Sequence, residues 1–174
     1  MNLNGGEKLK TRTTRLLLLL PLALLIMVPM ILPARACIAK PTSITGQATA
    51  SGLQESVLSN KGNILVAQIT STLTFTGDLQ GTGPATAIAI IDTSTGKLTF
   101  FEQTTFTGTV LSSQPGTLNI LIIGNGVEGG ASQAYDILNH GTGGLAGLTG
   151  EGTQATAAGS STTTFSLKIN FDQR

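Results

Sequence analysis

The sequence predicts an all-β fold of about eight short antiparallel strands, a sandwich or a barrel, preceded by a helical N-terminal signal or anchor segment. Three observations carry the all-β part. Nothing after residue 40 sustains a 3.6-residue apolar period. Threonine, serine, valine and isoleucine dominate short alternating runs. Glycine-rich punctuation separates those runs at hairpin spacing, with no intervening helix. Closing such strands into a barrel also removes the edges that invite aggregation.

The N-terminus has its own logic. Lys8, Lys10, Arg12 and Arg15 precede an uncharged apolar run from Leu16 to Leu32, broken only by Pro21 and Pro29. Ala34-Arg35-Ala36 then stands before Cys37 as an Ala-x-Ala cleavage site. Residues 1–36 therefore read as a signal peptide, 37–43 as a linker containing Pro41, and 44–174 as the barrel domain. Two rivals stand beside cleavage. The run approaches the ~20 residues that span a bilayer and could persist as an anchor. Cys37 could instead be lipidated, although Arg35 and the missing leucine at Ala34 fit a lipoprotein signal poorly. All three readings export the domain, to the exterior or the cell envelope, with membrane contact only through this segment.

Past residue 36 the basic side chains are Lys40, Lys61, Lys97, Lys168 and Arg174. The acids are Glu55, Asp78, Asp92, Glu102, Glu128, Asp136, Glu151 and Asp172, leaving a formal charge of −3. A mildly acidic domain with so few cations lacks the electrostatic footprint of a nucleic-acid binder. The single cysteine excludes an internal disulfide, so packing alone must hold the domain.

The elements follow in order. A first strand covers roughly Ile44 to Leu58, with a turn at residues 59–63. Next, Ile69, Leu73 and Phe75 share one face against Thr70, Thr72, Thr74 and Thr76. Gly77-Asp78 closes that strand, and Ala85 to Ile91 alternates alanines with isoleucines. Asp92-Thr-Ser-Thr-Gly96 suits a type I turn ending in a left-handed glycine. Lys97 to Val110 is a long strand, with Phe100, Glu102, Thr104 and Phe106 opposite Phe101, Gln103 and Thr105. After a turn at Pro115, Leu118, Ile120 and Ile122 oppose Asn119, Leu121 and Ile123. From Ala131 to Asn139, Tyr135 and Ile137 oppose Asp136 and Leu138. The glycine-rich stretch Gly141–Gly152 is a sharp corner in which Leu145 and Leu148 must still be buried. A short strand near Thr153 to Ala157 precedes the last one, where Phe165, Leu167, Ile169 and Phe171 alternate with Ser166, Lys168 and Asn170.

Three segments carry a family resemblance: Thr74-Phe-Thr-Gly-Asp-Leu-Gln-Gly-Thr-Gly83, the Phe106-Thr-Gly108 step, and the corner Gly141-Thr-Gly-Gly-Leu-Ala-Gly-Leu-Thr-Gly-Glu-Gly152. Together they resemble a bacterial family of unknown function whose members look like allene oxide cyclase barrels, an architecture that dirigent proteins share. The resemblance spans about residues 44–171. It implies an eight-stranded antiparallel barrel with a cavity at one end. Allene oxide cyclases hold a fatty-acid epoxide in such a cavity, and dirigent proteins hold radicals or quinone methides. No position here matches the polar site residues of either group, so no activity is carried over, and the leader departs from cytoplasmic relatives.

Candidate chemistry is sparse. His140 is the only histidine, and alone it builds no metal site. Asp136, four residues back, shares its strand face at best. Glu102 sits among phenylalanines: facing inward it would have a raised pKa and serve as a general acid or base, and facing outward it would aid solubility. Tyr135, the only tyrosine, could orient a ligand or plug a barrel end. Phe75, Phe100 and Phe106, with Tyr135, are the candidate ligand-binding side chains, and Glu102, Tyr135 and His140 the candidate catalytic ones. No serine triad is legible, and the glycine corner lacks the Gly-Lys-Ser/Thr ending and following helix of a phosphate loop. No metal or cofactor is expected. The first expectation is a barrel binding a small apolar or amphipathic molecule in its lumen. The second is an isomerase or cyclase acting in the same cavity, and the third a structural or self-associating module with a filled lumen.

Overall fold

The computed structural model describes residues 40–171. The leader, Cys37 and residues 172–174 lie outside the described residues, and with them the cleavage, anchor and lipidation expectations. No helix among the described residues is long and apolar enough to cross a membrane.

Eight antiparallel strands form a closed ring: β1 Thr42–Lys61, β2 Ile64–Gly77, β3 Leu79–Asp92, β4 Lys97–Val110, β5 Gly116–Val127, β6 Ser132–Gly143, β7 Leu148–Thr156 and β8 Thr162–Phe171. Each strand pairs with its neighbour in sequence, and β8 returns to β1 through Thr42↔Ile169 to Thr49↔Thr162. Short connections explain that order, because hairpins leave consecutive strands no choice but to lie side by side. Beyond Ser51 the long β1 pairs with β2 alone, so the β1–β2 hairpin continues past the end of β8 and leaves Leu53, Val57 and Leu58 exposed.

The predicted alternations order the wall. Ile44, Leu73, Phe75, Phe106, Leu118, Ile120, Phe165 and Leu167 are buried in one core cluster, and the threonines between them face outward. The turn from Asp92 to Gly96 closes through Gly96 N–H donating to the Asp92 carbonyl at 2.7 Å, with Gly96 at φ 69°. Leu145 and Leu148 are fully buried, as the glycine corner requires. The corner itself is tighter than expected. Only residues 144–147 form the turn, and β7 starts at Leu148 rather than near Thr153. Gly150 and Gly152 lie inside the strand because the partner fills their space: a Cβ on Gly152 would sit 2.8 Å from a Leu167 methyl.

Glycine also floors one end of the barrel. Gly81 on β3 faces Gly108 on β4, and the Phe106 ring covers both. Phe75 meets Phe106 edge to face with centroids 5.3 Å apart, and Phe165 lies 6.3 Å from Phe75. This aromatic plug, with Leu79, Val110, Leu145 and Leu148, seals the end that carries the β4–β5 and β6–β7 turns. Toward the other end the inward positions shrink to Ala67, Ala85, Ala87, Ala89 and Ala134.

Candidate functional site: two carboxyls in the lumen

One cross-strand row sets the site. Ile69, Ala87, Glu102, Ile122, Asp136, Gly152 and Leu167 are register partners on successive strands from β2 to β8. Register partners share a face, and Ala87, Ile122 and Leu167 are buried in the interior. Glu102 and Asp136 therefore point into the lumen, two strands apart, with Ile122 between them. Ala87 and Gly152 stand on their far sides, with Leu167 packed into the space at Gly152.

Their environments differ. Asp136 is 3% exposed, flanked on its strand by the buried Ala134 and Leu138, and its Oδ1 has no hydrogen-bond partner among the described residues. Burial, and then the negative charge of Glu102, push its carboxyl up to about 7. Glu102 is partly exposed, and its Oε1 accepts a long 3.4 Å hydrogen bond from the Thr104 hydroxyl, a side chain with no exposure at all. Burial raises the Glu102 carboxyl, and the Thr104 bond opposes that. Inward-facing Ile69, Ser71 and Phe100 keep partial exposure as well, so water reaches this half of the lumen. Two carboxyls that resist ionisation beside each other can share a proton, accept donors from a bound molecule, or act as acid and base.

The sequence-predicted residues divide between the two sides of the wall. Glu102 faces inward. Phe75 and Phe106 form the plug beneath it, and Phe100 lies over Gly124 on the lumen side, where a Cβ on that glycine would sit 2.3 Å from the ring. Tyr135 does not orient anything in the lumen: it is 41% exposed on the outer wall, and its hydroxyl donates to Glu151 Oε2 at 2.5 Å. Strand alternation dictates this, because Ala134, Asp136 and Leu138 take the inner face. His140 is exposed and lies apart from Asp136 despite the four-residue spacing. At φ 55° it takes the left-handed region near the register shift opposite Thr117 and Asn119, and the strand period breaks there. Asp136 is the residue that sequence reasoning used only as a partner for His140. Its signal was the alternation Ala134, Asp136, Leu138, legible only once that face is known to be the inner one.

Among the described residues no group of three or more His, Cys, Asp or Glu side chains could hold a metal ion. A cleft of about 410 Å³ lies at the plugged end among Val110, Leu111, Ser112, Ser113, Ile169 and Phe171. None of the described residues lining it is titratable, and neither carboxyl is among them.

The family model described as a protein of unknown function, DUF3224, matches residues 44–168, and the chain belongs to that family. The chain is similar to the crystal structure of a DUF3224 protein of unknown function from Shewanella oneidensis MR-1, with 16% sequence identity and a TM-score of 0.64. That similarity covers 78% of this chain and 100% of that one, and it concerns the fold alone. No curated protein matches the chain.

Proposed function

We propose that this member of the DUF3224 family is exported and that its barrel holds a small amphipathic molecule in the lumen. The apolar body lies along Phe100, Ile122 and the alanine-lined wall, and the polar end meets Glu102 and Asp136. One observation carries this reading: Asp136 Oδ1 is buried without a partner. A buried polar atom left unsatisfied costs about 1–3 kcal/mol, which a ligand donating to it would recover. The basic leader, apolar run and Ala34-Arg35-Ala36 supply the case for export.

Native mass spectrometry of the protein purified from its own host tests both parts. The expected result is a chain beginning at Cys37 with a bound small molecule that is lost in Asp136→Asn. A ligand-free chain whose Glu102→Gln and Asp136→Asn variants alter only stability would overturn the binding reading. A chain retaining residues 1–36 would overturn cleavage in favour of an anchor.

A second reading, isomerase or cyclase, draws on the unlike surroundings of the two carboxyls. The deeply buried Asp136 keeps its proton near neutrality and would donate it, while the partly exposed Glu102 would accept one. On this reading Glu102→Gln keeps the bound molecule and loses its conversion.

A further inference from the structure

The polar lining of the lumen has a single sign. Facing Glu102 and Asp136 from the strands on either side are Ala87, Ile122 and Gly152, with Thr104 the nearest hydroxyl on β4. None of these carries positive charge. The lysines stand elsewhere: Lys168 alternates outward between buried Leu167 and Ile169, and Lys40, Lys61 and Lys97 are exposed at strand ends. No arginine falls among the described residues, and His140 is exposed. Among the described residues, two carboxyls thus share an apolar stretch of the barrel interior without a counter-charge, and one of their oxygens is buried and unpartnered.

We infer that the molecule held in the lumen bears a primary or secondary amine, bound as its ammonium between Glu102 and Asp136. The inference rests on the lumen-binding reading above and names the chemistry of its ligand's polar end. An ammonium has only donors, and these carboxyls, once ionised, have only acceptors. Charge-assisted hydrogen bonds of this kind are roughly twice as strong as neutral ones. An alcohol of the same shape fills one acceptor and leaves the negative charge uncompensated. A carboxylate head meets like charge in a medium where screening is weak. The same argument removes free fatty acids from the ligands this interior accepts.

Calorimetric titration of the host-purified chain with n-octylamine, 1-octanol and octanoate tests the inference. Octylamine is expected to bind about tenfold or more tightly than octanol, the equivalent of about 1.4 kcal/mol, with octanoate the weakest. Glu102→Gln and Asp136→Asn, which preserve shape, are each expected to remove most of that advantage, octylamine affinity falling to within about twofold of octanol in the same variant. Equal affinity for amine and alcohol, or tighter binding of octanoate, would overturn the ammonium inference and leave the lumen reading standing. If none of the three binds, both fall. Two variants keep the outcome readable should one of them fail to fold.

Discussion

Asp136 of β6 and Glu102 of β4 meet in the barrel interior across a single intervening register partner, Ile122 of β5. Thirty-four positions apart in the chain, they become neighbours only through the pairing of three strands. The Glu102 charge adds to burial in holding the Asp136 proton to about pH 7.

That relationship predicts an unusual pH dependence. The unfolded chain ionises Asp136 near the ordinary 3.8 and the folded chain near 7. Between those values the native state holds the extra proton, so stability falls as pH rises through the window and levels off above it. The loss is up to about 4 kcal/mol, and the raised Glu102 carboxyl adds to it in the same direction. Urea unfolding at pH 4.5 and 7.5 checks this, with Asp136→Asn expected to flatten most of the slope. A constant difference between variant and parent across that range would contradict it.

The glycine floor makes a sharper claim about packing. A Cβ on Gly81 would lie 2.2 Å from the Thr107 carbonyl oxygen, 2.7 Å from the Phe106 ring and 2.8 Å from the Gly108 Cα. Two of those three neighbours are backbone and have little room to yield. Gly81→Ala is expected to cost about 2–3 kcal/mol in denaturant unfolding. Gly129→Ala, with open space around it at φ +66°, should cost only about 1 kcal/mol of backbone strain.

Tyr135→Phe separates the outer wall from the lumen. The variant loses the Glu151 hydrogen bond, which is exposed, and should lose less than about 1 kcal/mol. Binding of any lumen ligand, read by the same titration, should not change. A lost ligand would place the site on the outside of the barrel.

His140 reports on the bulge. A left-handed backbone costs a side-chain-bearing residue roughly 1–2 kcal/mol, whereas glycine adopts it freely. With His140 at φ 55°, His140→Gly should match or exceed the parent by up to about 1 kcal/mol, while His140→Val loses about 1 kcal/mol or more. Thermal unfolding of the two variants distinguishes this from a histidine whose side chain matters.

Much of the architecture is local and therefore readable along the chain. A period of two divides each strand into faces, and glycine, proline and Asp-Thr-Ser-Thr-Gly punctuation sets where strands turn. The Phe165-Leu167-Ile169 face is unambiguous because Ser166, Lys168 and Asn170 oppose it, whereas Leu118-Ile120-Ile122 is opposed by the apolar Leu121 and Ile123 as well as Asn119. The corner's extent was less legible. Glycines that look like a loop in isolation extend a strand once Leu167 fills the space their missing side chains leave.

The candidate site was readable only in part. Alternation by itself placed Glu102 with Phe100 and Phe106, and Asp136 with Leu138, on common faces. It left undecided which face of the sixth strand turns inward, because Tyr135 and Ile137 make an equally plausible core side. The tertiary structure settled that by packing Ala134 and Leu138 into the interior, which carried Asp136 in and Tyr135 out. Periodicity is a property of one segment, whereas register is a property of pairs. Two acids on different strands acquire a shared environment only when closure of the ring chooses who faces whom.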